Sequence, residues 1–154
     1  MELHVLSGGA AKGVVTAIES SFSLTTGATL RGTFGAVGVM QENLLAGAAC
    51  DVLILTAALL DRLADSGHVI PASIAPLGRV KTGIAVRSGE PLPDVATSAS
   101  LKATLLAARG IYFPDPQRAT AGIHFVQVLT QLGIYEQVKA QLRPYPNGAV
   151  AMQR

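Results

Sequence analysis

Apolar positions along the chain recur in two alternating rhythms. Residues 3–7, LHVLS, form a short continuous apolar run of the kind a parallel strand buried on both faces requires. The next segment spaces Val14, Val15, Ile18 and Phe22 helically, which predicts a helix with these four inward and a stop at Gly27. The alternation then repeats. Residues 29–34 (TLRGTF) read as a second strand, residues 40–47 (MQENLLAG) as a helix, residues 51–55 (DVLIL) as a third strand, and TAALLDRLADSG as a helix with Leu59, Leu60 and Leu63 inward and Gly67 as its cap. Strand-helix order with short links predicts a parallel sheet covered by helices.

The pattern changes after Gly67. Residues 74–89 contain a long, mostly alternating segment centred on 80–87, which predicts a strand crossing between two lobes. The Pro-rich stretch EPLPDVATSAS reads as a loop leading to a helix cap at Ser98 or Ser100, followed by a helix through SLKATLLAARG. GIYFPDP is a short strand with a Pro-bounded turn. RATAGIHFVQVLTQLG is an amphipathic helix with Ile123, Val126, Leu129 and Leu132 on one face, IYEQVKAQLRP a short helix and its exit, and residues 149–153 a helical start. The expected organisation is a first α/β lobe over 1–78, a hinge strand over 79–88, and a second α/β lobe over 89–154.

Three helices are predicted to begin in small residues just after a strand. In SGGAAKG, residues Ser7, Gly8, Gly9, Ala10 and Lys12 form either a backbone cradle for an anion or a tight turn. GAVG repeats this with Gly35, Ala36 and Val37, which offer only backbone donors. In DPQRATAGIHF, Thr120 can cap the helix, Ala121 and Gly122 permit close approach, Arg118 can pair with a carboxylate, and His124 lies one turn in. None of these spacings is a dinucleotide or Walker fingerprint.

Composition narrows the classes. A 49% hydrophobic and 14% charged chain has material for a packed core and is not disordered. A net charge of +2 with no basic run or aromatic-interleaved basic stripe gives nucleic acid no footprint. No apolar stretch reaches the ~20 residues of a membrane span. Cys50 stands alone, which excludes an intramolecular disulfide and predicts a small buried core residue. The histidines at 4, 68 and 124 are scattered, so neither a metal nor a cofactor is expected. Strand sequence from Glu2 leaves no room for a leader, so the chain as written is expected in the cytoplasm, or in the periplasm if a leader has been removed.

The order of motifs resembles that of the molybdate-binding proteins of ABC transporters and their wider type II periplasmic solute-binding relatives. The matching stretches are LHVLSGGAA, TGATLRGTFGAVGVMQENLLAGAACDVLILTA, DPQRATAGIHFVQVLTQLGIYEQVKAQL and NGAVAMQ. The resemblance implies a two-lobed α/β fold with parallel-rich sheets, here C-terminally incomplete, because the family continues for about 75 further residues. It implies a ligand between the lobes, held by amides of Gly8, Gly9, Ala10, Ala36 and Val37 on one side and of Thr120, Ala121 and Gly122 on the other. It also implies an ABC permease as partner for an exported protein, and a homodimer if the chain truly ends at Arg154.

This sequence departs from that pattern at informative places. Molybdate binders place serine hydroxyls in the first two loops, where this chain has Ala10 and Ala36 or Val37. A bare oxyanion would lose two donors, so the expected ligand is a small organic anion, a carboxylate, with Arg118 or Lys12 as counter-charge and Ser7 as a hydroxyl donor. The alternatives are a cytosolic isomerase of an unsaturated di- or tricarboxylate, resembling aconitate isomerase, with His124 or Lys12 as acid/base group, and a truncated dimeric fragment without ligand. Binding protein is the leading expectation and isomerase the enzymatic one.

Overall fold

The computed structural model describes all of residues 1–154, which divide into two compact units, Met1–Val80 and Lys81–Arg154. In the first unit, β1 (Glu2–Gly8), α1 (Lys12–Thr26), β2 (Thr29–Gly35), α2 (Val37–Leu45), β3 (Val52–Ile54) and α3 (Ala57–Asp65) follow one another with short links. The strands form a fully parallel sheet in the order β2-β1-β3. Register pairs Gly8 with Gly35 and Ser7 with Ile54, so the strands end level with one another. All three helices therefore start along one sheet edge.

The central strand explains the core of this unit. Val5 and Leu6 are almost fully buried, joined by Val15, Ala28, Ala36, Met40, Leu59 and Leu63. Each large side chain of this set contributes about 1.5–3 kcal/mol by leaving water. The α1 stripe departs from expectation. Val15 is buried, but Val14 and Ile18 are 65% and 48% exposed. Left-handed glycines end the helices where expected: Gly27 at φ 70 donates to Ser23 O at 2.9 Å, and Gly67 at φ 77 follows α3.

At the opposite edge, Asp51 extends the β1–β3 ladder with a reciprocal pair. The His4 amide donates to Asp51 Oδ2 at 2.7 Å, and the Asp51 amide donates to His4 O at 2.8 Å. The His4 ring stands between Asp51 Oδ2 at 3.4 Å and Glu2 Oε1 at 3.5 Å. The bond from the His4 amide, helped by the His4 side chain, holds the Asp51 carboxyl below its ordinary range. A depressed carboxylate contributes stability above its unfolded value and loses it as pH falls through the folded one. Asp51→Asn is therefore expected to melt earlier than the wild type at neutral pH, and the gap should close in acid, as pH falls through the lowered folded-state value. Parallel thermal melts across the acid range check this; a gap that persists at the acid end contradicts it.

The second unit holds α4 (Ser98–Ala107), β4 (Ile111–Pro114), α5 (Thr120–Gln131), α6 (Tyr135–Val138), β5 (Leu142–Tyr145) and α7 (Gly148–Ala151). β4 and β5 pair in parallel, Ile111 opposite Leu142. One core cluster holds the unit: Leu105, Ile111, Phe113, Leu129, Ile134 and Val138, with Phe125 tilted against Phe113 at 5.2 Å. Ile123, expected inward, is 38% exposed, because the buried face of α5 runs through Gly122 and Leu129 instead.

Three other expectations are corrected. Residues 79–88 are not a strand: 74–97 contain neither helix nor strand, and Val80, Ile84 and Val86 are 78%, 43% and 39% exposed. Alternation alone does not make a strand without a neighbour to bond, and no strand lies alongside. The cap of α4 is Thr97, not Ser98 or Ser100. Its Oγ1 accepts from the Ser100 amide while Ser100 Oγ accepts from the Thr97 amide, a capping box one residue earlier than read. Residues 142–145, read as a helix exit, are β5. Pro144 is tolerated because β5 lies at the edge of a two-stranded sheet.

Candidate functional site

The carboxyl edge of the first sheet collects eight of the sequence-predicted site residues. Gly8 ends β1, and Gly9 opens a short 3-10 turn (Gly9–Ala11) that leads into α1, whose first residue is Lys12. Gly35 and Ala36 link β2 to α2, which begins at Val37. The two loops touch. A Cβ on Gly8 would stand 2.9 Å from Val37 Cγ1, and one on Gly9 would stand 3.7 Å from Gly35 O. Gly8 has φ −56, open to any residue, so glycine is required there by proximity and not by handedness.

What these helix starts lack is informative. The residue before each helix, Ala11, Ala36 and Thr56, makes no side-chain cap, and no acidic residue occupies the first turn of α1, α2 or α3. By contrast α4 and α7 are capped by Thr97 and Asn147. A side-chain cap contributes about 0.5–2 kcal/mol, and acidic residues are favoured in a first turn. The edge forgoes both at three neighbouring positions, leaving amide donors and positive helix ends in one place. Lys12 is exposed there, its amide donates to Gly9 O, and its side chain forms no ion pair or hydrogen bond.

Ser7 is placed differently from its expected role. It is fully buried, and its hydroxyl donates to Gly8 O at 3.0 Å. Its proton is engaged inside the loop, so Ser7 holds the turn in shape. The hydroxyl that the sequence reading missed is Thr56, at the third loop. The signal was present as the N-cap position after the run DVLIL, but the small-residue criterion passed over a loop without glycine.

The remaining predicted residues gather in the second unit at the start of α5. Asp115 Oδ1 accepts from the amides of Gln117 at 2.7 Å and Arg118 at 2.9 Å. The turn thus supplies its own carboxylate ahead of the helix. Thr120, Ala121 and Gly122 form the first turn of α5, and no side chain caps it. Gly122 is buried: a Cβ there would fall on the carbonyl oxygens of Pro114 and Asp115. His124 is exposed and makes no hydrogen bond, so no neighbour fixes its tautomer.

Cys50 is half-buried, not a core residue, and partial burial pushes its thiol up, away from the reactive thiolate. No group of three or more His, Cys, Asp or Glu side chains is arranged to hold a metal. No helix is long and apolar enough to cross a membrane.

Parallel α/β units with small-residue loops at a sheet's carboxyl edge are what a periplasmic-binding-protein-like fold requires, and the likeness to a solved structure of that fold assigns it. The chain aligns with the periplasmic molybdate-binding protein of Azotobacter vinelandii with a TM-score of 0.71 at 19% identity, covering 98% of this chain and 65% of that one. The model of the bacterial extracellular solute-binding protein family matches residues 3–154, and the chain belongs to that family. It is also 30% identical, over 96% of its length, to aconitate isomerase from a Pseudomonas species. It spans 59% of that relative's length.

Proposed function

We propose that this chain binds a small organic carboxylate at the carboxyl edge of the β2-β1-β3 sheet, as the ligand-holding part of a solute-binding protein. The observation that carries this is the set of three adjacent helix starts with neither side-chain caps nor acidic first turns. Amides in such an array meet the lone pairs of a carboxylate, and the helix ends favour its charge. Lys12 is the unpaired cation at the edge and supplies the counter-charge. Ala10, Ala36 and Val37 present no hydroxyl, which disfavours an oxyanion that needs a donor at every oxygen. A relative named for a tricarboxylate, aconitate, supports the organic class. In an exported protein, this function would deliver the ligand to an ABC-type permease.

Excess citrate should raise the melting midpoint of the wild-type chain by mass action. Lys12→Gln should keep its fold and lose most of that rise, because the side chain is exposed and makes no hydrogen bond or ion pair within the protein. A midpoint that climbs equally in both would show that Lys12 is not the counter-charge.

The likeness to aconitate isomerase favours a second reading, proton transfer on an unsaturated tricarboxylate held at the same edge. Lys12 is then the acid/base candidate at the edge, since it adjoins the amide array. Interconversion of cis- and trans-aconitate, followed by proton NMR, tests it; an unchanged spectrum after prolonged incubation rejects it.

A further inference from the structure

The segment between α3 and α4 has the chemistry of a strand and no strand to pair with. No proline interrupts residues 77–90, and Val80, Ile84 and Val86 recur at even positions among polar and small residues. In an extended chain this spacing puts Ile84 and Val86 on one face. Over residues 74–87 the chain makes no helix, strand, turn or bend, so it runs on without reversing direction. From Ala75 to Val86 no backbone N–H or C=O is hydrogen-bonded within the chain. Every residue from 75 to 90 is exposed, the large apolar ones included.

The end of this segment is fastened to the second unit. A turn closes it, with the Glu90 amide donating to Arg87 O at 3.1 Å. Arg87 Nη2 donates to Arg154 O at 2.7 Å, just beyond α7. Thr104 Oγ1, on α4, donates to Asp94 O at 2.9 Å. A row of free backbone groups, held in place and carrying exposed β-branched side chains, is a template for a strand of another chain.

The sequence of the segment fits itself. Antiparallel pairing about a two-fold axis is self-complementary, so one segment serves as both partners. Only with Ala85 on the axis do Ile84 and Val86 face each other across the two copies. Thr82 then faces Ser88 and Arg87 faces Gly83, so no two charges stand directly opposite. With Ile84 on the axis, Lys81 would face Arg87, which is destabilising. We propose that residues 82–88 are an interaction strand that pairs antiparallel with the same segment of a second copy of this chain, with Ala85 on the two-fold axis. Pairing turns the free backbone groups into ladder bonds and covers Ile84 and Val86. Seven residues per copy make a small interface, so the association is weak and depends on concentration. The inference is independent of which anion the first unit binds.

Cross-linking tests both the partner and the register. Ala85→Cys and Thr82→Cys are each made in the full chain with Cys50→Ser, which removes the native thiol. Both positions are exposed, so chance collisions would link them alike. In the proposed pair the thiols of Ala85→Cys face each other, near the separation a disulfide spans. Those of Thr82→Cys lie about 20 Å apart. Mild oxidation is expected to give a disulfide-linked dimer of Ala85→Cys and to leave Thr82→Cys monomeric. Sedimentation equilibrium of the wild type should show a dimer fraction that rises with concentration, and Ile84→Lys should lose it with an unchanged far-UV spectrum. Equal cross-linking at the two positions, or preferential cross-linking of Thr82→Cys, overturns the proposed pairing. So does a wild-type chain that sediments as a monomer at every concentration.

Discussion

Gly122→Ala is expected to destabilise the second unit severely. The added methyl would fall on two backbone carbonyl oxygens, those of Pro114 and Asp115, at the junction of β4 and α5. Backbone cannot rotate aside as a side chain can, so either the turn or the helix must shift. Overpacking of this kind costs about 1–3 kcal/mol and more where the obstacle is rigid. For a unit of this size that lowers the melting midpoint by about 10 °C or more. In a helix interior alanine is otherwise favoured over glycine by about 1 kcal/mol. A Gly122→Ala chain that melts at or above the wild-type midpoint would therefore show that the close approach is not real. Circular dichroism on heating is sufficient to decide.

Gly8→Val should abolish the proposed binding and cost stability as well. Even a bare Cβ at this position stands 2.9 Å from Val37 Cγ1, and valine adds two methyls where the first and second loops meet. Because φ at Gly8 is −56, no handedness strain contributes, and the effect isolates the steric demand. The expected signature is a loss of the citrate-induced melting rise together with a destabilisation of about 1–3 kcal/mol. Gly13→Ala is the matched control, since a Cβ there meets nothing within 4 Å. Equal citrate responses in Gly8→Val and Gly13→Ala would place the ligand elsewhere.

The first unit was legible from the sequence because its rules are local. A run such as DVLIL between a small-residue turn and a helical pattern forms a buried parallel strand wherever a sheet exists. The second unit was less legible where contacts decided the outcome. LRPY became a strand through pairing with IYFP, a relation over some thirty intervening positions that no local pattern encodes. The alternating segment at 79–88 failed in the opposite sense, since it had the rhythm and lacked the neighbour. At the candidate site, the glycines of the first two loops stand where those loops approach one another. Two features were hidden: that Ser7 turns its hydroxyl back to Gly8 O, and that Thr56 leaves its own unbonded. Both depend on where a rotamer finds an acceptor, which composition and spacing do not state.

The central claim is that the uncapped edge of the first sheet takes an organic carboxylate and not a bare oxyanion. Isothermal titration of the full chain with citrate and, separately, with molybdate at low ionic strength tests it most directly. Saturable heat with citrate, weakened by added salt as an exposed Lys12 requires, and none with molybdate is the predicted result. Saturable binding of molybdate with no response to citrate would contradict it.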